Sequence, residues 1–277
     1  MKIQSINYNY SNYSYFKNLK STTPSFGSNS RALYSKEGKL LYRTTTNFFR
    51  PDLDWERFGM FLREKYAHAL KVNMLCYGCS DGSETLSILM MLKEFFGKDA
   101  KRFLPIVAKD IDKTVLYLAK SGSVEMDYHD HAAINRFTNN KFNDYFEQSN
   151  FVDIIDNIPV KLKAPLKKGI EYSYGNIMDD ISSIPRKNTV LFCRNFWPYL
   201  KSPQERYKLA LDLSSRLQDN CTLVIGSYDR IADVHFILSS AGFRRVKNLT
   251  NVYESGKSKL PDTQFLLSKC VKNTNQE

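Results

Sequence analysis

The chain has no run of eighteen or more apolar residues, so no segment is long enough to cross a bilayer as a helix, and its opening lacks the apolar core that a secretory signal needs. A cytoplasmic protein without membrane insertion is expected. Cysteine is scarce and odd in number: Cys76, Cys79, Cys193, Cys221 and Cys270 lie mostly in apolar segments, which suits buried, reduced thiols and excludes a disulfide framework. Acid is almost missing from the first fifty residues, where Glu37 alone faces eight Lys or Arg. That segment therefore holds +7 of the chain's formal +11, and the remainder only +4.

What is present is enough for a globular core, with 42% hydrophobic residues in a chain of 277. Residues 1–40 read as a polar, basic, disordered arm, and residues 41–277 as one folded domain. The opening "MKIQSINYNYSNYSYFKNLKSTTPSFGSNS" is rich in Asn, Ser and Tyr and shows neither helical nor strand periodicity. Tyr8, Tyr10, Tyr13, Tyr15 and Phe16, interleaved with Lys17 and Lys20, have the chemistry to stack on bases and meet phosphates. A solvated tail is the commoner meaning of such a segment.

From Pro51 the pattern becomes regular. The segment "LDWERFGMFLREKYAHAL" places Trp55, Phe58, Phe61 and Leu62 at helical spacing, as a core-facing stripe. Strand "VNMLCYG", a helix from Ser83 to Phe96 closed by Gly97, strand "RFLPIVAKD" and a helix from Lys113 to Lys120 closed by Gly122 follow in βαβα order. Strand "NTVLFCRN" leads to helix "SPQERYKLALDLSSRL", with Ser202 as N-cap, Pro203 in the first turn and Glu205 completing a capping box. Strand "CTLVIGS", helix "ADVHFILSSAG" and a closing strand "TQFLLSKC" complete a doubly wound α/β domain of short, buried strands.

The turn "GCSDGSE" joins the first strand to its helix, at the carboxyl edge where open parallel sheets bind ligands. A Walker phosphate loop is excluded, because Gly82 is followed by Ser83 and Glu84 rather than by Lys and a hydroxyl residue. A dinucleotide fingerprint fails too: Ser80 stands at its middle glycine position and the spacing is wrong. Cys76 and Cys79 have metal-ligand spacing, but Cys76 is inside the strand and no second pair follows; His129 and His131 around Asp130 find no third and fourth ligand. No metal is expected. What fits is a nucleoside carrying a cation, with Glu84 accepting from an ammonium and Asp110, at the end of the second strand, accepting from both ribose hydroxyls. S-adenosylmethionine has both groups.

At these residues the chain resembles a known family. "GCSDGSET", "KDIDKTVLYLAKSG", "LFCRNFWPYL" and, upstream, "TTTNFFRPDLDWERF" are similar to successive motifs of the CheR-like, chemotaxis-receptor methyltransferases, over roughly Tyr42 to Ser227. The resemblance implies a class I methyltransferase fold, a Rossmann-like, mostly parallel sheet with helices on both faces and a small inserted subdomain, and S-adenosyl-L-methionine as cofactor. It implies a protein-glutamate O-methyltransferase whose partner is a protein with an accessible glutamate. It assigns Thr46 and Arg50 to the methionine carboxylate and transfer centre, Glu84 to the amino group, Asp110 to the ribose, and Asn176 and Ile177 to the adenine. Gly78, Ser80, Gly82, Ile111, Arg194 and Asn195 complete the implied cofactor seat, and Tyr199 joins Arg50 as a catalytic residue. Read alone, Arg50 is an ion-pair partner of Asp52 or Asp54, Tyr199 is a core aromatic, and Asp112 is the N-cap of the helix from Lys113.

The chain departs from the family pattern in four places. Ser83 and Thr85 stand where the family has Glu and Pro around Glu84, which points to an altered cofactor seat. Trp197 and Pro198 replace aliphatic residues and are expected to change the wall beside Tyr199. The family's helical N-terminal domain is read as missing, replaced by the polar arm, and the chain after Ser227 follows a generic methyltransferase ending. Residues 123–169 read as the family's inserted subdomain, where Lys161, Lys163, Lys167 and Lys168 offer a basic surface to an acidic partner, as the arm does, or form a solvated loop.

Methyl transfer to a carboxylate needs no base, since a glutamate with a pKa of about 4.3 is already ionised near neutrality. Positioning is the main task, and it suits a guanidinium at Arg50 and a phenol at Tyr199. Two alternatives remain open. One is an amino-methyltransferase acting on nucleic acid or on another protein side chain, in which "NFWPY" stands for an Asn-Pro-Pro-Tyr motif broken by an extra residue; the other is a non-catalytic S-adenosylmethionine-binding adaptor. Nucleic acid ranks behind protein as the partner, because the other motifs match the carboxyl family.

Overall fold

Apolar runs too short for helices alternate with amphipathic segments from residue 55 onward, which dictates layers of helix on a central sheet. A computed structural model describes residues 30–34, 40–147, 158–218 and 220–255, with side chains from residue 46. The elements are β1 (Ser30–Tyr34), β2 (Leu40–Thr45), α1 (Trp55–Lys65), β3 (Asn73–Tyr77), α2 (Ser83–Phe96), β4 (Ile106–Asp110), α3 (Lys113–Ser121), β5 (Ser123–Met126), α4 (Tyr128–Thr138), α5 (Phe142–Tyr145), β6 (Ile158–Lys161), α6 (Ala164–Lys167), β7 (Ile170–Tyr174), α7 (Ile177–Asp180), β8 (Thr189–Cys193), α8 (Pro203–Arg216), β9 (Thr222–Val224), α9 (Val234–Ser240), β10 (Phe243–Arg245) and β11 (Val252–Ser255).

Among the described residues, seven strands form the main sheet in the order β10-β11-β9-β8-β3-β4-β7. β3 pairs in parallel with both β4 and β8, β4 with β7 and β8 with β9, while β11 runs antiparallel to β9 and β10. The chain thus starts in the middle, winds out to β7, and returns to β8 on the other side of β3. That reversal opens a crevice at the carboxyl ends of the central strands. The mostly parallel class I methyltransferase sheet with helices on both faces is the fold that forms.

The period-two alternation of the strands divides the core between two faces. Met74, Cys76, Ile106, Ala108, Val190, Phe192 and Val224 pack with Phe58, Leu62 and Ile88 on the side of α1 and α2. Leu75, Tyr77, Leu191, Cys193 and Leu223 pack with Leu209, Leu213 and Leu238 on the side of α8 and α9. Every residue of β8 is buried, as a strand covered on both faces requires. Cys76, Cys79, Cys193 and Cys221 are buried free thiols, and Cys270 lies outside the described residues.

Several local expectations hold in detail. Asp112 caps α3 by accepting from Thr114 N at 2.8 Å, and Ser202 caps α8 by accepting from Glu205 N at 3.2 Å. The Glu205 carboxylate accepts from Lys201 N at 2.8 Å, one residue before the cap, so the box is offset. The last two described strands come from "FRRVKNLTNVY" and the two residues after it as a short antiparallel pair, whereas "TQFLLSKC" lies outside the described residues. Ser30–Tyr34, inside the segment read as an arm, is a strand paired with Leu40–Thr45, and residues 1–29 lie outside the described residues. Residues 123–169 contribute α4, α5, α6 and the antiparallel pair β5–β6, attached to the α2 face through Phe142, Tyr145 and Phe146.

Candidate active site

β3 ends in a tight turn rather than running straight into α2. Gly78 has φ +73° and donates its N–H to Lys109 O at 2.8 Å, and Ser80 has φ +51° and donates to Asp110 Oδ2 at 2.8 Å. The turn is therefore tied to the end of β4 through both backbone and carboxylate. Asp110 Oδ1 accepts from Asp112 N at 2.9 Å, which holds the carboxylate by both oxygens while each keeps a further lone pair. Asp110 is 7% exposed, and burial raises its pKa against the opposing N–H bonds from Asp112 and Ser80.

Across the crevice, Thr46, Arg50, Gly78, Ser80, Glu84, Asp110, Ile111, Asn176, Ile177, Arg194, Asn195 and Tyr199 line one cleft, together with Tyr77, Gly175, Phe196 and Leu200.

 Twelve of the thirteen residues expected from the sequence are thus gathered there, and Gly82 is the one outside. It has φ +96° at the start of α2, and a Cβ there would come within 2.6 Å of the Tyr172 hydroxyl, so its role is close packing of helix against sheet.

Glu84 is held rather than free. Its Oε2 accepts from Arg194 Nη1 at 2.7 Å, and Cys76 Sγ approaches Oε1 at 3.7 Å. Arg194 turns its other terminal nitrogen to Asp52 Oδ1 and lies over the Trp55 ring, 5.5 Å from its centroid. Burial alone would lower the Arg194 pKa, but the Glu84 and Asp52 carboxylates outweigh it and raise it. Asp52 is thus taken by Arg194, and Asp54 caps α1 and pairs with Arg57 at 3.2 Å. For Arg50, burial lowers the pKa, opposed by Glu84 and reinforced by the neighbouring Arg194.

The segment carrying Thr46 and Arg50 has no regular structure, and side chains from other elements fix it. Phe48 N donates to Asp130 Oδ1 at 3.0 Å, Phe49 N to Ser87 Oγ at 3.0 Å, and Trp55 Nε1 to Arg50 O at 3.0 Å. Asp130, flanked by His129 and His131, therefore serves as a backbone acceptor. On the opposite wall, Asp229 accepts from Gly226 N, Asn195 N and Trp197 N at 2.7, 2.8 and 3.2 Å, which fixes the loop after β8. Tyr199 packs against Tyr228, with ring centroids 6.0 Å apart.

Two departures from the family pattern have a different meaning in three dimensions. Trp197 is fully buried and donates Nε1 to Cys193 O at 3.0 Å, so it belongs to the core; Phe196 and Leu200 form the wall near Tyr199. Ser83 and Thr85 are buried in the first turn of α2 and do not line the cleft. Sequence reasoning missed Asp52, Ser87, Asp130 and Asp229 as supports of the site.

The CheR methyltransferase, SAM binding domain, family matches residues 44–244. The chain belongs to the CheR methyltransferase family. It is 30% identical over 157 residues to a chemotaxis protein methyltransferase of Borreliella burgdorferi, a match that takes in 56% of this chain and 50% of the relative. The chain thus spans about half the length of that curated relative. Among solved structures, the DszA carbon methyltransferase is similar at 13% identity with a TM-score of 0.41, over 74% of this chain and 55% of that one. An S-adenosylmethionine-dependent methyltransferase from Clostridium acetobutylicum is similar at 16% identity with a TM-score of 0.33, over 64% and 51%.

S-adenosylmethionine is the cofactor of this CheR-family domain, and the cleft suits it. Gly78 is exposed at the floor, and a Cβ there would meet nothing nearer than Phe196 Cβ at 4.0 Å, so a ligand can approach the backbone closely. Ile111 is 53% exposed at the rim, an apolar surface for a flat ring to cover. Two carboxylates in one cleft, Glu84 and Asp110, match a cationic ligand that also carries hydroxyl donors. No helix among the described residues is long and apolar enough to cross a membrane.

Proposed function

We propose that this chain methylates the side-chain carboxylate of a glutamate on a protein. Arg50 and Tyr199 line the same cleft as Glu84 and Asp110, and this shared cleft is the observation that carries the reading. Glu84 holds the amino group of the cofactor, Asp110 its ribose hydroxyls, Asn176 and Ile177 the adenine, and Thr46 its carboxylate. When bound, the cofactor supplies an electrophilic methyl group. Arg50 orients the acceptor carboxylate through its guanidinium, and Tyr199 donates one hydrogen bond to it. Neither side chain exchanges a proton, because the acceptor is already ionised at neutral pH.

The state of Asn195 favours this reading over amino-group methylation. Its Oδ1 accepts from Tyr228 N at 3.1 Å, so the oxygen that an amino-methyltransferase would turn to a target amine is engaged by backbone. The test is a labelled-methyl assay on whole lysate, with and without nuclease, followed by mild base. Release of labelled methanol from nuclease-resistant material is expected. Base-stable label on nucleic acid would overturn the assignment.

A further inference from the structure

We propose a second ligand site, for a phosphate monoester, in the surface pocket formed by Arg230, His235, Ser239, Arg245 and Tyr253. Its residues come from four places in the fold: the 3₁₀ turn Ser227–Ala232 after β9, helix α9, the end of β10 and strand β11. Arg230 and Arg245 are exposed, and neither makes an ion pair among the described residues. Two unpaired guanidiniums beside one pocket repel each other, and an anion between them removes that cost.

The imidazole of His235 supplies an independent observation. Its Nδ1 is in hydrogen-bond contact with the Tyr253 hydroxyl, while Nε2 is buried and has no partner. In the tautomer in which the Tyr253 hydroxyl donates to Nδ1, Nε2 carries the hydrogen. The pocket then presents a buried N–H without an acceptor next to two guanidiniums, and no carboxylate lines it. A buried donor left unmatched is unfavourable, and an arriving anionic oxygen satisfies it.

Phosphate fits this donor set better than a carboxylate does. A carboxylate brings two oxygens and one charge, whereas a phosphate monoester brings three terminal oxygens and about −1.5 to −2 charge at neutral pH. Three donor groups and two fixed positive charges match the second. The pocket shares no lining residue with the cleft that holds Glu84 and Asp110, so the proposal does not depend on the methyltransferase reading.

The test is calorimetric titration of the full chain with O-phosphoserine, inorganic phosphate and acetate at one fixed ionic strength, followed by the His235 ring signals in NMR. O-phosphoserine is expected to bind and to shift the His235 resonances, and Arg230→Gln and Arg245→Gln are each expected to weaken it by about tenfold or more. Stronger binding by O-phosphoserine than by inorganic phosphate assigns the site to a phosphorylated substituent. Equal binding of acetate, unchanged affinity in both arginine variants, or an unshifted His235 would overturn the proposal. Because both arginines are exposed, the variants should melt with the wild type, and His235→Gln provides a third check that keeps one donor.

Discussion

Asp52→Ala is expected to cost about 3–5 kcal/mol of folding free energy, a large share of the stability of an ordinary domain. The magnitude follows from what the truncation leaves behind. The Arg194 side chain is 1% exposed, and its Nε already has no partner. Without Asp52, one terminal nitrogen of Arg194 loses its charged acceptor and the N–H of Ser227 loses Asp52 Oδ2, which accepts it at 2.7 Å. Leaving the buried guanidinium donor unmatched costs about 1–3 kcal/mol, Glu84 alone remains to balance the guanidinium, and the exposed Ser227 N–H can turn to water at little cost. Asp52→Asn keeps an oxygen for one of the donors and removes only the charge, so a loss of about 1–2 kcal/mol is expected.

Urea unfolding followed by circular dichroism measures the difference, provided the m-value is unchanged. Thermal melts give a second estimate, since 1 kcal/mol corresponds to about 2–4 °C for a domain of this size. Asp54→Ala is the control. Asp54 caps α1 at an exposed position, and its removal should cost about 1 kcal/mol. If Asp52→Ala cost no more than Asp54→Ala, the Asp52–Arg194 pair would not support the fold, and the account of how Arg194 is held would be wrong.

Asp110→Ala should weaken S-adenosylhomocysteine at least about tenfold by calorimetry, as the loss of a charged acceptor for a buried hydroxyl predicts; equal affinity removes Asp110 from the seat. Arg50→Ala should slow methyl transfer by about two to three orders of magnitude and Tyr199→Phe by about tenfold or less, both with unchanged melting; the reverse order contradicts their assigned roles. Gly82→Ala should lower stability by about 2 kcal/mol or more, because its φ is +96° and its Cβ would meet Tyr172, whereas Gly78→Ala should mainly weaken the cofactor. Burial pushes the Asp229 carboxyl up to about 7, so the folded chain keeps a proton that the unfolded chain releases near pH 4. Stability from this group is therefore full below about pH 4 and falls by about 4 kcal/mol as pH rises to about 7; Asp229→Asn should lack that component in urea titrations across the window, and parallel curves for the two proteins would refute it.

The sheet was legible where burial leaves a pattern. β3, β4 and β8 are apolar runs bounded by turn residues, and the glycines of "GCSDGSE" mark the turn between β3 and α2, where φ is positive at Gly78 and Gly82. β10 has three residues, two of them exposed arginines, which is too short for a period-two signal, so the sequence did not mark it as a strand. Trp197 looked like a cleft residue because its neighbours in "NFWPYL" are, but a 3₁₀ turn over Trp197–Tyr199 sends the indole into the core. The acids that support the site carry no local signature. Asp130 meets Phe48 across 82 residues and Asp52 meets Arg194 across 142, and in a single sequence such residues are indistinguishable from solvated surface charge.

Those acids share one physical task. The cleft is built mainly from segments outside regular structure, whose N–H groups have no ladder to join and must find acceptors elsewhere. Asp130 accepts from the segment before α1, Asp52 from the turn after β9, and Asp229 from the loop after β8. Asp130 thereby ties the segment before α1 to α4, while Asp52 and Asp229 tie the loops around the cleft to one another. Orientation is what methyl transfer to an ionised acceptor chiefly needs, so a displacement of these loops should reduce the rate even when every residue lining the cleft is intact. The rate should therefore respond to Asp52, Asp130 and Asp229 although none of them lines the cleft.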